Sequence, residues 1–231
     1  MTASATMPGV TEVWLATPDA ADRFDPSMLD PAERDAWIAI RSARRRRDWE
    51  SSRALLGAVP EPGDRRRSLS HSHGFAAIAL APAAVAVGVD LEWLAPRDFV
   101  GMARVAFPGS ECAYLESLDD PADLCSTFYA FWTLKEAFTK ALSLPLVDAL
   151  RLCCLVDASG ARRADIPTSR CWRATVFAPR PKLRLAVVRV NESATPVRDH
   201  LDTIEWPQPR NEDWPVVLNL QGNSGRDSGA W

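Results

Sequence analysis

Val85-Ala-Val-Gly-Val-Asp90-Leu-Glu92 reads as a strand, and its two acids lie on one face because strand side chains alternate. Working outward, Phe131-Trp-Thr-Leu-Lys135-Glu136-Ala-Phe-Thr-Lys140-Ala141 reads as a helix. Phe131, Leu134, Phe138, Ala141 and Leu142 make its buried stripe, and Trp132, Glu136 and Lys140 form a second stripe at steps of four. Packing that helix on that strand brings three carboxylates together. At an effective dielectric of about 20, two such charges roughly 5 Å apart repel by about 3 kcal/mol. A divalent cation removes that cost, and hard oxygen donors suit Mg²⁺, with Mn²⁺ as the alternative ion. Taken alone, the strand reads as two solvent-facing acids and the helix as an ordinary Glu136–Lys140 surface pair; the depletion of acids in strands, the close approach that Gly88 permits, and the combination of the two elements point to a site. Mg²⁺ held this way most often serves phosphate chemistry.

The chain has 231 residues, 47% of them hydrophobic and 25% charged, with a formal net charge of −3. That is ordinary globular composition and argues against a nucleic-acid-coating protein. Cys112, Cys125, Cys153, Cys154 and Cys171 form no Cys-x-x-Cys pair and read as reduced thiols, so a cytoplasmic location is expected. No leader-like N-terminus and no long apolar run is visible, so neither secretion nor a membrane partner is expected. His71, His73 and His200 are too few to make a histidine-built metal centre the first expectation.

Asp30-Pro31 reads as an N-cap and first helical position, opening a helix to about Ile40; a second, basic helix spans Ser42 to Val59. Val13–Ala16 reads as a first strand and Pro60–Arg67 as a loop. Phe75–Leu80 and Val85–Glu92 are separated by a short Pro82-containing link and read as an antiparallel pair. Helices are expected over Phe99–Ala106, Ser110–Ser117 and Asp123–Leu142, then strands near Leu152–Val156, Trp172–Phe177 and Leu183–Val190, with Asp157-Ala-Ser-Gly160 as a turn. Helices followed by a hairpin, twice, hint at duplication without a residue-level repeat. Residues 191–231 read as a tail, weakly ordered or docked through Trp206, Trp214 and Val216–Leu218.

Two further features bear on function. Ser68-Leu-Ser70-His71-Ser72-His73-Gly74 precedes a strand and suits anion contacts; a capped polar turn, a His-x-His metal site and a Ser-His nucleophile are the other readings, the last without a Gly-x-Ser-x-Gly elbow. Arg44-Arg-Arg-Arg47 with Arg53, and Arg65-Arg-Arg67, are basic clusters in an acidic chain. They suit a ligand with several phosphates, although a solvated face is the ordinary reading.

In this order, Ser68-Leu-Ser-His-Ser72, Val87-Gly-Val-Asp90-Leu-Glu92 and Phe131-Trp-Thr-Leu-Lys135-Glu136-Ala-Phe-Thr-Lys140 resemble the 4′-phosphopantetheinyl transferase superfamily, in its surfactin-type class. Ser52-Arg53-Ala-Leu-Leu56 and Phe107-Pro-Gly-Ser-Glu111 agree, and the resemblance covers roughly residues 30–190. It implies an α+β pseudo-dimer of two similar helix-plus-antiparallel-sheet halves with the active site in the cleft between them. The halves would be residues 1–93, with the coenzyme A phosphate contacts and the first two metal ligands, and 94–190, with the third ligand and the catalytic helix.

The resemblance further implies transfer of the 4′-phosphopantetheine arm of coenzyme A to a serine of an apo acyl or peptidyl carrier protein, by a monomer that contacts no nucleic acid. Asp90, Glu92 and Glu136 would hold Mg²⁺, and Glu136 would accept the serine proton. Lys140 would steady the leaving phosphate, and Ser70 and His71 would hold phosphate oxygens. Arg53, with Arg46 or Arg47, would hold the 3′-phosphate, and Lys135 would be a supporting cation. The family's Gly-Lys-Pro segment is missing, and Arg65–Arg67 are expected to replace it. An apolar carrier contact is expected near Phe99, Met102 and Val105. The rival readings are a metal-dependent nuclease or phosphodiesterase, and a non-catalytic binding module using the arginine clusters.

Overall fold

The computed structural model describes residues 10–156, 162–193, 197, 201–207 and 210–222. Strand β1 (Thr11–Ala16) leads through two short 3₁₀ helices (Pro18–Arg23 and Pro26–Met28) to helices α1 (Pro31–Ala39) and α2 (Ala43–Ala58). Strands β2 (Arg66–Ser72), β3 (Phe75–Ala81) and β4 (Val85–Trp93) follow, then helices α3 (Phe99–Ala106), α4 (Gly109–Glu116), α5 (Pro121–Leu142) and α6 (Leu146–Leu152). The remaining strands are β5 (Cys154–Val156), β6 (Arg162–Asp165), β7 (Trp172–Arg180), β8 (Leu183–Asn191), β9 (Leu201–Trp206), β10 (Arg210–Asn211) and β11 (Val216–Gly222). Side-chain caps set the helix starts. Asp30 accepts from the Glu33 N–H ahead of Pro31, Ser42 from Arg45, and Asp120 from Ala122.

The fold is α+β, as expected, and its two main sheets lie face to face. One runs β10-β9-β1-β3-β2 and the other β11-β7-β8-β4. Strand β3 is buried along its whole length because both faces are covered. Ala76, Ile78 and Leu80 meet Leu55 and Val59 of α2, while Phe75, Ala77, Ala79 and Ala81 join Val87, Val89 and Leu91 of β4 and Leu183, Leu185 and Val187 of β8 between the sheets. On the far side of the second sheet, Ala186, Val188 and Val190 of β8 pack on Leu134, Ala137, Phe138 and Ala141 of α5. No helix of the described residues is long and apolar enough to cross a membrane.

Three expectations need correction. The hairpin between Phe75–Leu80 and Val85–Glu92 does not form. Strand β3 already has β1 and β2 on its two sides, so β4 crosses over and pairs along its full length with β8, from Val85↔Asn191 to Trp93↔Leu183. The last strand of residues 1–93 therefore belongs to the sheet otherwise built from later residues. Second, the Arg66–Ser72 stretch expected as loop and polar turn is strand β2, paired with β3. Third, the tail is built into both sheets. Strand β9 runs parallel to β1, from Thr11↔Leu201 to Ala16↔Trp206, and β11 pairs with β7. The anticipated docking of Trp206 and Trp214 does occur, both rings being buried. The turn expected at 157–160 lies outside the described residues, as does His200.

A candidate active site at the seam between the sheets

Val87, Val89 and Leu91 of β4 face the sheet–sheet core, so Gly88, Asp90 and Glu92 face α5. The helix crosses the strand at Gly88, where an added Cβ would sit 2.0 Å from the Ala137 carbonyl oxygen. Only glycine allows that approach, and it is what sets Glu136 and Lys140 beside Asp90. The Lys140 ammonium lies 3.0 Å from Asp90 Oδ1 and also donates to the carbonyls of Val89 at 2.8 Å and Leu69 at 3.3 Å. Its three donors are thus all engaged, and the ammonium binds β2 to β4 as well as neutralising Asp90.

The three acids sense one another. Burial raises Glu136 to about 7, and the neighbouring Asp90 charge adds to the effect. Burial likewise raises Glu92 to about 7, with Asp90 again the next cause and the Ser72 hydroxyl opposing it. Asp90 is only 2% exposed. Glu136 comes within hydrogen-bonding reach of it, but two carboxyls bond only if one holds a proton. With both ionised, Asp90 Oδ2 is buried without a donor. Among the described residues no group of three or more His, Cys, Asp or Glu side chains stands close enough to hold a metal ion as placed. The orphaned Asp90 oxygen and an all-carboxylate donor set nevertheless fit a hard divalent cation.

Residues around this centre depart from the sequence expectations. Lys135 is no ligand contact. It is completely buried, pairs with the equally buried Glu111 at 2.9 Å, and donates to the Leu150 and Cys153 carbonyls. Ser70 spends its one proton on Asp90 Oδ1 at 2.8 Å rather than on a phosphate. His71 is exposed on the opposite face of β2 from the buried Ser70 and Ser72. Arg53 pairs with Glu33 at 3.0 Å and lies over the Trp49 ring; Arg46 donates to the Ile40 carbonyl and Arg47 to that of Pro18. Arg65 is held by Glu12 and the Leu80 carbonyl, and Arg66 by Glu192 and the Ala83 carbonyl. Those two secure the start of β2, so they are not placed to replace a nucleotide contact. Of the expected carrier contact, Phe99 is core and only Val105 is largely exposed.

The site also gathers His73 and Arg44, from the polar segment and the first basic cluster, with Asp48, Trp93 and Arg97, to which the sequence reading gave no role. The His73 ring stacks on Trp93 at 5.9 Å, and its pKa is lowered by burial and then by the Arg44 charge. The Arg97 charge acts on both His73 and Glu92, and buried Asp48 accepts the Gly74 N–H. Trp93 and Arg97, one and five residues beyond Glu92, carried no periodicity or motif that marked them.

A model of the 4′-phosphopantetheinyl transferase superfamily matches residues 86–188. Residues 86–188 are therefore similar to a 4′-phosphopantetheinyl transferase domain. The matched segment begins in β4 and ends in β8, and so contains Asp90, Glu92, Glu136 and Lys140. Strand β2 and the arginine-bearing α2 precede it. No curated protein matches the chain.

Proposed function

We propose that this protein is a 4′-phosphopantetheinyl transferase of the surfactin-type class that moves the 4′-phosphopantetheine arm of coenzyme A to a serine hydroxyl of an apo acyl or peptidyl carrier protein. Asp90, Glu92 and Glu136 facing one another at the sheet seam, with one buried Asp90 oxygen lacking a donor, are the observation that carries this reading. Asp90, Glu92 and Glu136 would hold a divalent cation, Mg²⁺ by preference, which when bound supplies charge neutralisation on the pyrophosphate.

The chain's own groups supply the rest. Glu136 takes the proton of the attacking serine, a contribution of about 10²–10⁴ in rate. The serine oxygen bonds to the β-phosphorus, the bond from that phosphorus to the bridging oxygen breaks, and adenosine 3′,5′-bisphosphate leaves. Lys140 holds Asp90 in place and reaches the leaving phosphate by releasing its longest bond, to Leu69. Arg46, Arg47, Arg53 and His71 remain proposed phosphate contacts on the strength of the resemblance, and Arg44 and Arg97 join them because their charges act on the site. The protein would act as a monomer in the cytoplasm.

Mass spectrometry of a panel of apo carriers, incubated with coenzyme A and Mg²⁺, tests the reading. One carrier should gain a single phosphopantetheine on its serine, and Asp90→Ala should abolish the gain while the variant stays folded by circular dichroism. An unmodified panel, or an active Asp90→Ala enzyme, contradicts it.

A further inference from the structure

Side chains close the seam between the two sheets. Ser68, Ser70 and Ser72 are all buried on β2, and each hydroxyl accepts a backbone N–H from β4: Val89 at 3.0 Å, Leu91 at 3.2 Å and Trp93 at 3.2 Å. Partner numbers rise together by two, so β2 and β4 run parallel with hydroxyls standing where a backbone ladder would be. A hydroxyl has one proton and two lone pairs. Ser70 donates its proton to Asp90 Oδ1 at 2.8 Å, and Ser72 donates to Glu92 Oε2 at 3.3 Å, with the His73 ring nitrogen 3.2 Å away as a second partner. Among the described residues Ser68 has the Val89 bond alone.

We propose that Ser70 and Ser72 are positioning residues: each fixes one oxygen of an acidic side chain and leaves the other free for a divalent cation. Asp90 shows the division directly. Its Oδ1 receives both Ser70 and Lys140, and its Oδ2 receives no donor. A phosphate-binding role for Ser70 would need a second proton that a hydroxyl does not have. The period-two spacing matters as well, since the same strand register that bonds Leu91 and Trp93 delivers each hydroxyl to the acid just before it. This inference rests on the metal-dependent reading above and deepens it.

Ser68 is the internal control, because it makes the same backbone bond and touches neither carboxylate. The test compares Ser68→Ala, Ser70→Ala and Ser72→Ala in the full chain, by thermal melting without metal and by Mn²⁺ titration followed by electron paramagnetic resonance. All three should lower the melting temperature, Ser68→Ala least because it loses the backbone bond alone. Only Ser70→Ala and Ser72→Ala should weaken Mn²⁺ binding, by about tenfold or more, the usual effect of removing a group that orients a metal ligand; Ser70→Thr, which keeps the hydroxyl, should restore it. Equal loss of Mn²⁺ affinity in Ser68→Ala overturns the proposal, because the seam alone would then explain it. So does Ser70→Ala with unchanged Mn²⁺ affinity and weakened coenzyme A binding, which would return Ser70 to the phosphate. The titration needs no carrier, so an absence of transfer would fail the reaction reading and leave this comparison standing.

Discussion

Replacing Glu136 by glutamine should lower transfer by at least about 10²-fold and, at pH 8 without metal, raise the melting temperature. The two effects have one origin. Burial and the Asp90 charge hold the Glu136 carboxyl at about 7 against an ordinary 4.5. Between those values the folded metal-free chain keeps a proton that the unfolded chain releases. The associated stability is therefore complete below about pH 4.5 and is lost as pH rises through about 7. At pH 8 the ionised folded state is disfavoured by a few kcal/mol at most, of the order of 1.4 kcal/mol per unit of displacement. Glutamine removes that charge and the general base together. Melting curves of the metal-free wild type should fall between pH 5 and 8, and Mg²⁺ should restore more stability at pH 8 than at pH 5.5 because the ion needs deprotonated ligands. A fully active glutamine variant, or wild-type melting that climbs steadily over this range whether or not Mg²⁺ is present, contradicts the assignment.

Lys135→Met should destabilise the protein by about 3–5 kcal/mol, the cost of leaving a buried charge without its partner. Glu111 and Lys135 are both 0% exposed, and their 2.9 Å contact joins α4 to α5. Glu111 also accepts the Leu155 N–H, and Lys135 reaches two carbonyls at the end of α6, so one pair fastens four elements. Burial raises the Glu111 pKa, and the Lys135 charge opposes that rise. Adding Glu111→Gln to Lys135→Met should recover part of the loss, because glutamine still accepts from Leu155 and leaves no charge behind. Urea midpoints measure both. A single variant that loses under about 1 kcal/mol would show that the pair contributes little to stability, as at an exposed site.

The legible parts of this molecule were those with a local period. The alternation of Val85–Glu92 and the helical spacing after Phe131 placed Asp90, Glu92, Glu136 and Lys140 on facing surfaces, and Gly88 marked where the two elements touch. Strand β2 was hidden because its inward residues are serines, which read as turn formers until their hydroxyls are seen to replace a backbone ladder. The last strands were hidden for another reason. Leu201–Trp206 is stabilised by β1, almost the whole chain length away, and nothing within the segment states that partner. Lys135 is the instructive error. Its position falls on the stripe of Phe131, Leu134, Phe138 and Leu142, which should have marked it as buried, whereas the partner Glu111 was legible only from the fold.

The account stands or falls on whether one divalent cation sits at the sheet seam. Anomalous diffraction from crystals grown with Mn²⁺ and coenzyme A measures this directly. The prediction is one manganese peak bounded by oxygens of Asp90, Glu92 and Glu136 and adjoining the pyrophosphate. Coenzyme A bound with no manganese at these carboxylates, or manganese elsewhere on the chain while they remain empty, would contradict it.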